Sequence, residues 1–238
     1  MVKKHLKKIA MPSTWHIERK DRTFTTRPNP GGHRLDMCIP LGTLLRELIK
    51  CAKTEREGKT VLCTKNILVD GKRRKERKFP VGIMDVVDIE EIKEYYRILL
   101  NKNGNLYAQP VKKEETASKL CRIRNKTILG KDKIQLNLSD GRNLLVKKDE
   151  GYKTGDTLVM SLPDQKIKNH LKLEKGASIY LIGGKNIGCA GTVEHADGNK
   201  ITYRLSDEKQ GKKHDTLKEY VFVVGKEKPI ITLADEKQ

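Results

Sequence analysis

Four dipeptides in which aspartate or asparagine precedes glycine divide this sequence into short segments. Each is flanked by runs of β-branched, leucine or tyrosine residues, at Asp70-Gly71, Asn103-Gly104, Asp140-Gly141 and Asp197-Gly198. Such dipeptides accept the positive φ angles of the tight turns in two-residue β-hairpins. The pattern therefore predicts a chain built largely from antiparallel hairpins, with β-structure dominating after residue 90.

Two helices are predicted before the first of these turns. In Ile39–Ala52, leucine and isoleucine recur at helical spacing, so this apolar stripe should belong to the core. Thr54 is a suitable N-cap for a second helix that ends at Cys63, and Glu57, three residues later, completes a capping box. We expect the two helices to pack against each other and a short strand, Ile67–Val69, to follow.

The segment Gly71–Lys78, with sequence GKRRKERK, holds six basic residues and one acidic residue, and we call it the basic segment. A tight turn precedes it, and charge held on a rigid turn is aimed in one direction. Arginine favours phosphate as a partner because its planar guanidinium binds bidentately. The predicted nucleic-acid contacts here are Lys72, Arg73, Arg74, Lys75, Arg77 and Lys78, with Arg56 of the preceding helix and Lys53 just before it. The fold is not expected to depend on the basic segment; the other interpretation is a solvated loop.

The formal net charge of the chain is +19, with a pI near 9.7, which points to a polyanionic partner. The charge is unevenly distributed along the sequence. Residues 174–238 contain 11 basic and 10 acidic residues, a net of +1, whereas residues 1–173 contain 39 and 21, a net of +18. The last quarter of the chain should therefore contribute more by shape than by charge.

The first 40 residues are predicted to form a basic arm that is disordered until a partner orders it. The first 35 contain nine basic and two acidic residues, with prolines and glycines that oppose a long helix. Trp15, the only tryptophan, has two interpretations: an anchor that stacks on RNA bases, or a plug in the neighbouring domain. The predicted RNA-binding residues of the arm are Lys3, Lys4, His5, Lys7, Lys8, Trp15, Arg19, Lys20, Arg22 and Arg27.

A glycine-rich stretch lies in Lys175–His195, after a predicted strand. Several glycines within ten residues indicate tight turns or close backbone approach. The spacing lacks the GxGxxG pattern of a nucleotide-binding loop, so a small β-barrel with a recognition loop is the preferred interpretation. The candidate loop residues are Gly183, Gly184, Lys185, Asn186, Gly188 and Gly191.

Nothing in the sequence indicates catalysis, so we predict a protein that is not an enzyme and that needs no cofactor and no metal. The five cysteines have no CxxC spacing, which predicts free thiols in a reducing cytosol. An acidic cluster, Asp85–Glu94, is either a catalytic or Mg²⁺ site or a solvated face that balances the basic segment; the solvated face is preferred. The sequence shows no membrane span and no signal peptide, so a soluble intracellular protein is expected.

Two stretches resemble known modules. Thr54–Asp88 resembles an S4-type RNA-binding domain, the small helix-helix-hairpin module of ribosomal proteins and RNA-modifying enzymes. Lys175–His195 resembles a KOW motif, which opens an SH3-like barrel in ribosomal proteins and transcription elongation factors.

Longer patterns resemble one family in particular. His5-Leu-Lys-Lys-Ile followed by Trp15, then Val69–Ile89, then Gly183–His195, are similar to the patterns of the small-subunit ribosomal proteins called S4e, in archaea and eukaryotes. The resemblance covers nearly the whole chain in the family's order. It implies a structural, cytoplasmic component of the small ribosomal subunit, bound to ribosomal RNA and neighbouring ribosomal proteins and not forming a homo-oligomer.

The fold implied is α+β with four parts. They are a basic N-terminal arm at 1–40, an S4-type RNA-binding domain at 41–90, a β-rich central domain at 91–172 and a KOW or SH3-like barrel at 173–238. Two alternatives stay open: an RNA-modifying enzyme such as a pseudouridine synthase, which also carries S4-type domains, and a KOW-type transcription or stress factor that binds RNA.

Overall fold

All four predicted Asx-Gly turns connect antiparallel strands in the structure, which is a computed structural model. The four glycines have φ angles between 55° and 78°. The strands that they join are Ile67–Val69 with Lys72–Arg73, Glu94–Leu100 with Leu106–Pro110, Lys133–Leu138 with Asn143–Lys147, and Ala190–Asp197 with Lys200–Leu205. The hairpin prediction is confirmed at every one of these positions.

The structure describes residues 5–130, 133–147, 151–206 and 212–233, and this part of the chain is mostly β-structure with a few short helices. The chain divides into two units. Unit 1 extends to Leu100 and also includes Asn105–Ala117, whereas unit 2 holds Asn101–Gly104 and the chain from Ser118 onward. Each unit has its own sheets.

Three antiparallel sheets form in unit 1 from residue 5 onward. Its strands, in chain order, are β1 (Leu6–Lys7), β2 (Phe24–Thr25), β3 (Cys38–Pro40), β4 (Ile67–Val69), β5 (Lys72–Arg73), β6 (Pro80–Gly82), β7 (Val86–Ile89), β8 (Glu94–Leu100) and β9 (Leu106–Pro110). The main sheet has the order β5-β4-β7-β8-β9, while β1 pairs with β2 and β3 pairs with β6. The predicted boundary after residue 90 runs through the main sheet, because Val86 in β7 pairs with Arg97 in β8. The β8–β9 hairpin strands therefore belong with unit 1.

The first predicted helix is present but shorter than expected. Helix α1 spans Leu41–Thr43 and continues as one π-helical turn, Leu44–Leu48. The sequence prediction began too early because Cys38–Pro40 pairs with β6 as a strand, and the left-handed φ of 62° at Lys50 ends the helix. Leu41, Leu44 and Leu45 are fully buried, as the apolar stripe predicts.

The second predicted helix, α2, spans Glu55–Thr64, and a third short helix, α3, spans Lys113–Thr116. Thr54 caps α2: its hydroxyl accepts a hydrogen bond from the Glu57 backbone N–H at 3.2 Å. Glu57 in turn reaches back to the N–H of Lys53, one residue before the cap, at 2.9 Å. The capping box is therefore confirmed with a shifted return bond, and α1 and α2 contact each other as predicted.

The described residues of the arm pack as part of unit 1. Leu6, Met11 and Trp15 are buried, and 3₁₀ turns form at Lys8–Ala10 and Leu35–Met37. Trp15 aligns beside Leu106 of β9, and the Leu106 N–H donates to the carbonyl of Thr14 at 2.7 Å. Disorder is predicted from the composition because the arm has few apolar residues. In the structure, the apolar side chains of Leu6, Met11 and Trp15 are nevertheless buried.

The described residues of unit 2 form two five-stranded antiparallel sheets. The first has the order β12-β11-β10-β13-β14 and the second β18-β17-β16-β15-β19. In chain order the strands are β10 (Ser118–Ile128), β11 (Lys133–Leu138), β12 (Asn143–Lys147), β13 (Thr157–Ser161), β14 (Ile167–Leu171), β15 (Ser178–Leu181), β16 (Ala190–Asp197), β17 (Lys200–Leu205), β18 (Lys213–Leu217) and β19 (Val221–Gly225). A 3₁₀ turn, Lys218–Tyr220, precedes β19.

The first sheet of unit 2 encloses an apolar core with a buried ion pair at its margin. The core includes Leu136, Leu158 and Met160. The ammonium of Lys119 lies 3.2 Å from the carboxylate of Asp140, the residue of the predicted turn, and both side chains are buried. A buried pair of this kind is costly to break, because removing one partner leaves the other charge uncompensated.

Gly191 is a position where a side chain would clash. It pairs across the sheet with Leu205, and a Cβ placed on it would lie 2.5 Å from the carbonyl oxygen of Arg204. We expect Gly191→Val to lower the free energy of unfolding by about 1–3 kcal/mol, because the backbone must move to admit the side chain. Urea denaturation measures the change.

The matched control is Gly130→Val, because a Cβ on Gly130 meets no atom within 4 Å. This variant should unfold like the unmodified protein. Equal unfolding curves for the two variants would show that the tight contact at Gly191 is tolerated.

Candidate nucleic-acid interface

The basic segment lies along helix α2. The guanidinium of Arg73 donates to the carbonyl of Cys63 at 3.2 Å, near the end of the helix. Arg77 forms an ion pair with Glu55, at the start of the helix. Since the two contacts anchor opposite ends, the segment runs antiparallel to α2, and the cations of both elements form one surface. We call this surface the α2 face.

Besides Arg73, whose guanidinium is bonded to the Cys63 carbonyl, five exposed cations make up the α2 face. Arg56 and Lys59 lie three residues apart on α2 and project from the same side of the helix, whereas Lys53 lies just before the Thr54 cap. The basic segment adds Lys72 and Lys75, which are also exposed; Lys78 is half-buried. Lys59 is the one that the sequence analysis missed, although its spacing from Arg56 already indicated it.

The two acidic residues of α2 are exposed but bonded to groups of the same unit. Glu55 pairs with Arg77, and Glu57 accepts the hydrogen bond from the Lys53 N–H. Their charges therefore serve the local fold. An unpaired acid here would weaken attraction to an anion more than these two acids do, because each is partly compensated by its partner.

The basic segment also contributes to the fold, which the sequence analysis did not expect. The backbone N–H of Arg74 donates to the carbonyl of Ile67 at 3.0 Å, and its guanidinium lies 4.4 Å from the centre of the Phe79 ring. A cation over an aromatic face is attracted by the ring quadrupole. The expectation that this segment has no structural role is therefore wrong for Arg74.

The arm passes beside the exit of the basic segment. The N–H of Asn29 donates to the carbonyl of Lys78 at 2.9 Å. Further along, the ring of His33 lies 3.1 Å from the carboxylate of Asp85, with both side chains buried. These contacts hold residues 29–33 of the arm against unit 1.

Two predicted RNA contacts of the arm point inward. Trp15 is 2% exposed, and its indole N–H donates to the carbonyl of Cys38 at 2.7 Å, so the plug interpretation is confirmed and the stacking interpretation is wrong. Lys8 is buried and hydrogen-bonded to Asp21, which lowers the pKa of that carboxyl. The other predicted positions are exposed or half-buried, namely His5, Lys7, Arg19, Lys20, Arg22 and Arg27, whereas Lys3 and Lys4 lie outside the described residues.

The glycine-rich loop of unit 2 packs mostly on protein atoms. Gly183 contacts the ring of Tyr220, Gly188 contacts the backbone of Asn101, and Asn186 donates its amide N–H to the Tyr203 hydroxyl at 2.9 Å. Close backbone approach is what the glycine content predicts. Only Gly184 and Lys185 of the six predicted loop residues are exposed.

The acidic cluster does not form a metal site in the described part of the chain. No group of three or more His, Cys, Asp or Glu side chains that could hold a metal ion occurs among those residues. Asp85 is buried and bonded to His33, whereas Glu91 is exposed and lies 3.3 Å from Lys65. Burial raises the pKa of Asp88, and the neighbouring Glu90 adds to that shift.

Among the described residues, no helix is long and apolar enough to cross a membrane.

Sequence comparison gives the relatives of this chain. The family description "Ribosomal family S4e" matches residues 92–167, and the RS4NT domain matches residues 2–36. The chain is 41% identical over 240 residues to the small ribosomal subunit protein eS4 of Methanococcus vannielii, covering 97% of this chain and 98% of that protein. The eS4 protein of Methanocaldococcus jannaschii has the same identity and coverage.

The chain belongs to the S4e family of ribosomal proteins. Such identity over nearly the full length decides it, and the resemblance found in the motifs is confirmed. A solved S4e structure agrees: the crystal structure of 30S ribosomal protein S4e from Thermoplasma acidophilum is 32% identical, with a TM-score of 0.70, and covers 80% of this chain and 96% of that one. This S4e chain therefore shares both sequence and fold with its relatives.

The position of Arg74 over Phe79 generates a stability prediction. We expect Arg74→Ala to lower the free energy of unfolding by about 1–2 kcal/mol, because it removes the cation from the ring face and uncovers Phe79. Lys75→Ala removes the same charge from an exposed neighbour and should change it by less than about 0.5 kcal/mol. Denaturant titration of both variants measures the two free energies of unfolding and shows whether Arg74 stabilises the fold beyond the effect of its charge.

Proposed function

We propose that this protein is a structural constituent of the small ribosomal subunit and binds ribosomal RNA through the α2 face of unit 1. The observation that carries the proposal is the α2 face itself. Its five exposed cations lie on or just before a capped helix and along a bonded segment, while the nearby acids Glu55 and Glu57 are bonded to Arg77 and to the Lys53 N–H. The names of the eS4 relatives indicate the assembly, which is the small ribosomal subunit, and the positive charge of the α2 face indicates where the RNA binds.

The mechanism is neutralisation of phosphates by cations in fixed positions. Each contact releases condensed counterions from the RNA, which favours binding entropically and makes it depend on salt. Because the backbone that carries these cations is held by the Thr54 cap and by the contacts of the basic segment, little backbone freedom is lost on binding. The spacing of the cations selects RNA shape rather than sequence, as is usual for contacts to an A-form backbone.

The finer domain assignment supports the same function. We assign residues 41–90 to an S4-type RNA-binding domain, since α1, α2 and the β4–β5 hairpin follow one another in that order. We assign the second sheet of unit 2, β15 to β19, to an SH3-like barrel that carries the KOW motif. The near-neutral charge of this quarter suits contacts with neighbouring ribosomal proteins as well as with RNA.

The place of action follows from the assembly. A constituent of the small subunit works in the cytoplasmic ribosome, where it holds RNA helices in mutual register and performs no chemistry. Its partners are ribosomal RNA and the adjacent ribosomal proteins.

Sedimentation of a cell extract tests the assembly. The tagged protein should travel with small ribosomal subunits through a sucrose gradient and should remain there when the salt is moderately raised. Migration with RNA polymerase, or in the free-protein fractions, would contradict the proposal.

Binding to ribosomal RNA at several salt concentrations tests the α2 face. The triple variant Arg56→Ala, Lys72→Ala, Lys75→Ala should flatten the slope of log K against log salt by roughly two to three units, because each phosphate contact contributes about 0.9. These three positions are exposed, so the fold should be preserved.

A matched control removes the same charge elsewhere. Lys172, Lys226 and Lys228 are exposed residues of unit 2, and their combined replacement by alanine also lowers the net charge by three. This variant should keep the slope of the unmodified protein. Equal flattening in both triple variants would show that net charge, and not the α2 face, governs binding.

A further inference from the structure

The small sheet formed by β1 and β2 has one buried and one exposed side. Leu6 faces inward and is buried, and so does Lys8, which is bonded to Asp21. Because side chains alternate along a strand, His5 and Lys7 face outward on the same side. The register pairs Lys7 directly with Phe24 of β2, so Phe24 also faces outward.

Phe24 is therefore an aromatic ring displayed on the protein surface. It is 55% exposed. The two other phenylalanines are not available in this way, because Phe222 is buried and Phe79 lies under the guanidinium of Arg74. The ring of His5 lies 5.9 Å from that of Phe24, centre to centre, tilted by 55°.

Two exposed basic residues lie near the ring. Lys7 is opposite it in the register, and Arg22 is two residues before it on the chain. The neighbouring acid, Asp21, accepts a hydrogen bond from the buried Lys8 and also lies 3.8 Å from Arg22. An exposed aromatic with cations nearby suits a ligand that carries flat rings and negative charge together.

We propose that Phe24, with the tilted ring of His5 at its side, is a platform on which an unpaired base of the bound RNA stacks, while Lys7 and Arg22 contact the flanking phosphates. This inference rests on the proposed function and adds that the RNA bound here is locally single-stranded. Bases in a continuous helix have their faces covered by neighbouring pairs, so only a loop, bulge or end presents a free face to Phe24.

The charges favour RNA over a protein partner. An apolar protein contact needs a ring with uncharged surroundings, since burying Lys7 and Arg22 without partners is costly. A nucleic acid matches both features at once, because its bases stack on the ring and its phosphates meet the cations. The sheet also presents the ring in a fixed orientation, which limits the entropy lost on binding.

The test uses the full-length protein and two RNA probes. One is a fully paired RNA duplex, and the other is the same duplex with an unpaired loop. Phe24→Ala should weaken binding to the looped RNA by between about fivefold and about 150-fold, which corresponds to the loss of one stacked base. Affinity for the duplex and the salt dependence of binding should stay as in the unmodified protein.

Conservative variants separate stacking from simple apolar contact. Phe24→Tyr keeps a ring and should bind the looped RNA like the unmodified protein, whereas Phe24→Leu keeps apolar area without a ring and should behave like Phe24→Ala. Ile9→Ala is the control for an exposed apolar side chain nearby, since Ile9 is 74% exposed, and it should have no effect on affinity. Thermal unfolding of each variant verifies that the fold is retained.

The possible failures are distinct. If the unmodified protein binds neither probe, the proposed function itself fails. If it binds both but Phe24→Ala binds equally well, or loses affinity for both equally, the platform is overturned. Retained affinity in Phe24→Leu overturns it too, because an apolar contact would then suffice. Normal RNA binding with poor incorporation of Phe24→Ala into ribosomal subunits would assign Phe24 to a protein neighbour.

Discussion

Two buried carboxylates hold the basic segment in place, and unit 1 depends on them. At the entry of the segment, Asp70 accepts a hydrogen bond from the Val86 N–H at 3.1 Å. Beyond its exit, Asp85 accepts one from the Gly82 N–H at 2.8 Å and contacts His33 of the arm, while its carbonyl accepts the Ile98 N–H at 3.0 Å. A buried acceptor that loses its donors costs far more than an exposed one, so these bonds fix the geometry. The cations between the two aspartates therefore lie on a segment that is fixed at both ends by buried hydrogen bonds.

A protein with a net charge of +19 must keep its cations apart from each other and still hold them in place. Unit 1 does so by bonding acids to groups of its own fold. Glu55 pairs with Arg77, Glu57 accepts the Lys53 N–H at the start of α2, and Asp21 bonds the buried Lys8. In each case an acid compensates a local charge or a backbone N–H group. Self-repulsion among the remaining exposed cations is the cost, and a polyanion relieves it. The fold uses acids to offset some cations, whereas binding a polyanion requires that other cations stay exposed.

The elements that were predicted correctly are those encoded locally. An Asx-Gly turn or a threonine cap needs only a few adjacent residues, and all four turns and the Thr54 cap are confirmed. The errors concern partners distant in sequence. Trp15 is buried because the carbonyl of Cys38 and the strand at Leu106 receive it, and neither is marked in the sequence near Trp15. The pairing of β7 with β8 across residue 90 likewise joins residues whose sequence shows no sign of it. Of the candidate site, the clustering of cations was predictable, but which arginines also support the fold was not.

In the arm, the alternation of side chains along β1 and β2 decides which residues are exposed to a partner. Leu6 and Lys8 point inward, so His5, Lys7 and Phe24 point outward, and a shift of one residue in the β1–β2 register would exchange the two sets. The buried side thus specifies which residues the exposed side can offer. If the arm binds RNA as proposed, contacts formed before binding would spare it the conformational entropy that a disordered arm pays. The same few buried apolar residues, Leu6, Met11 and Trp15, would then also raise the affinity available to its basic and aromatic surface.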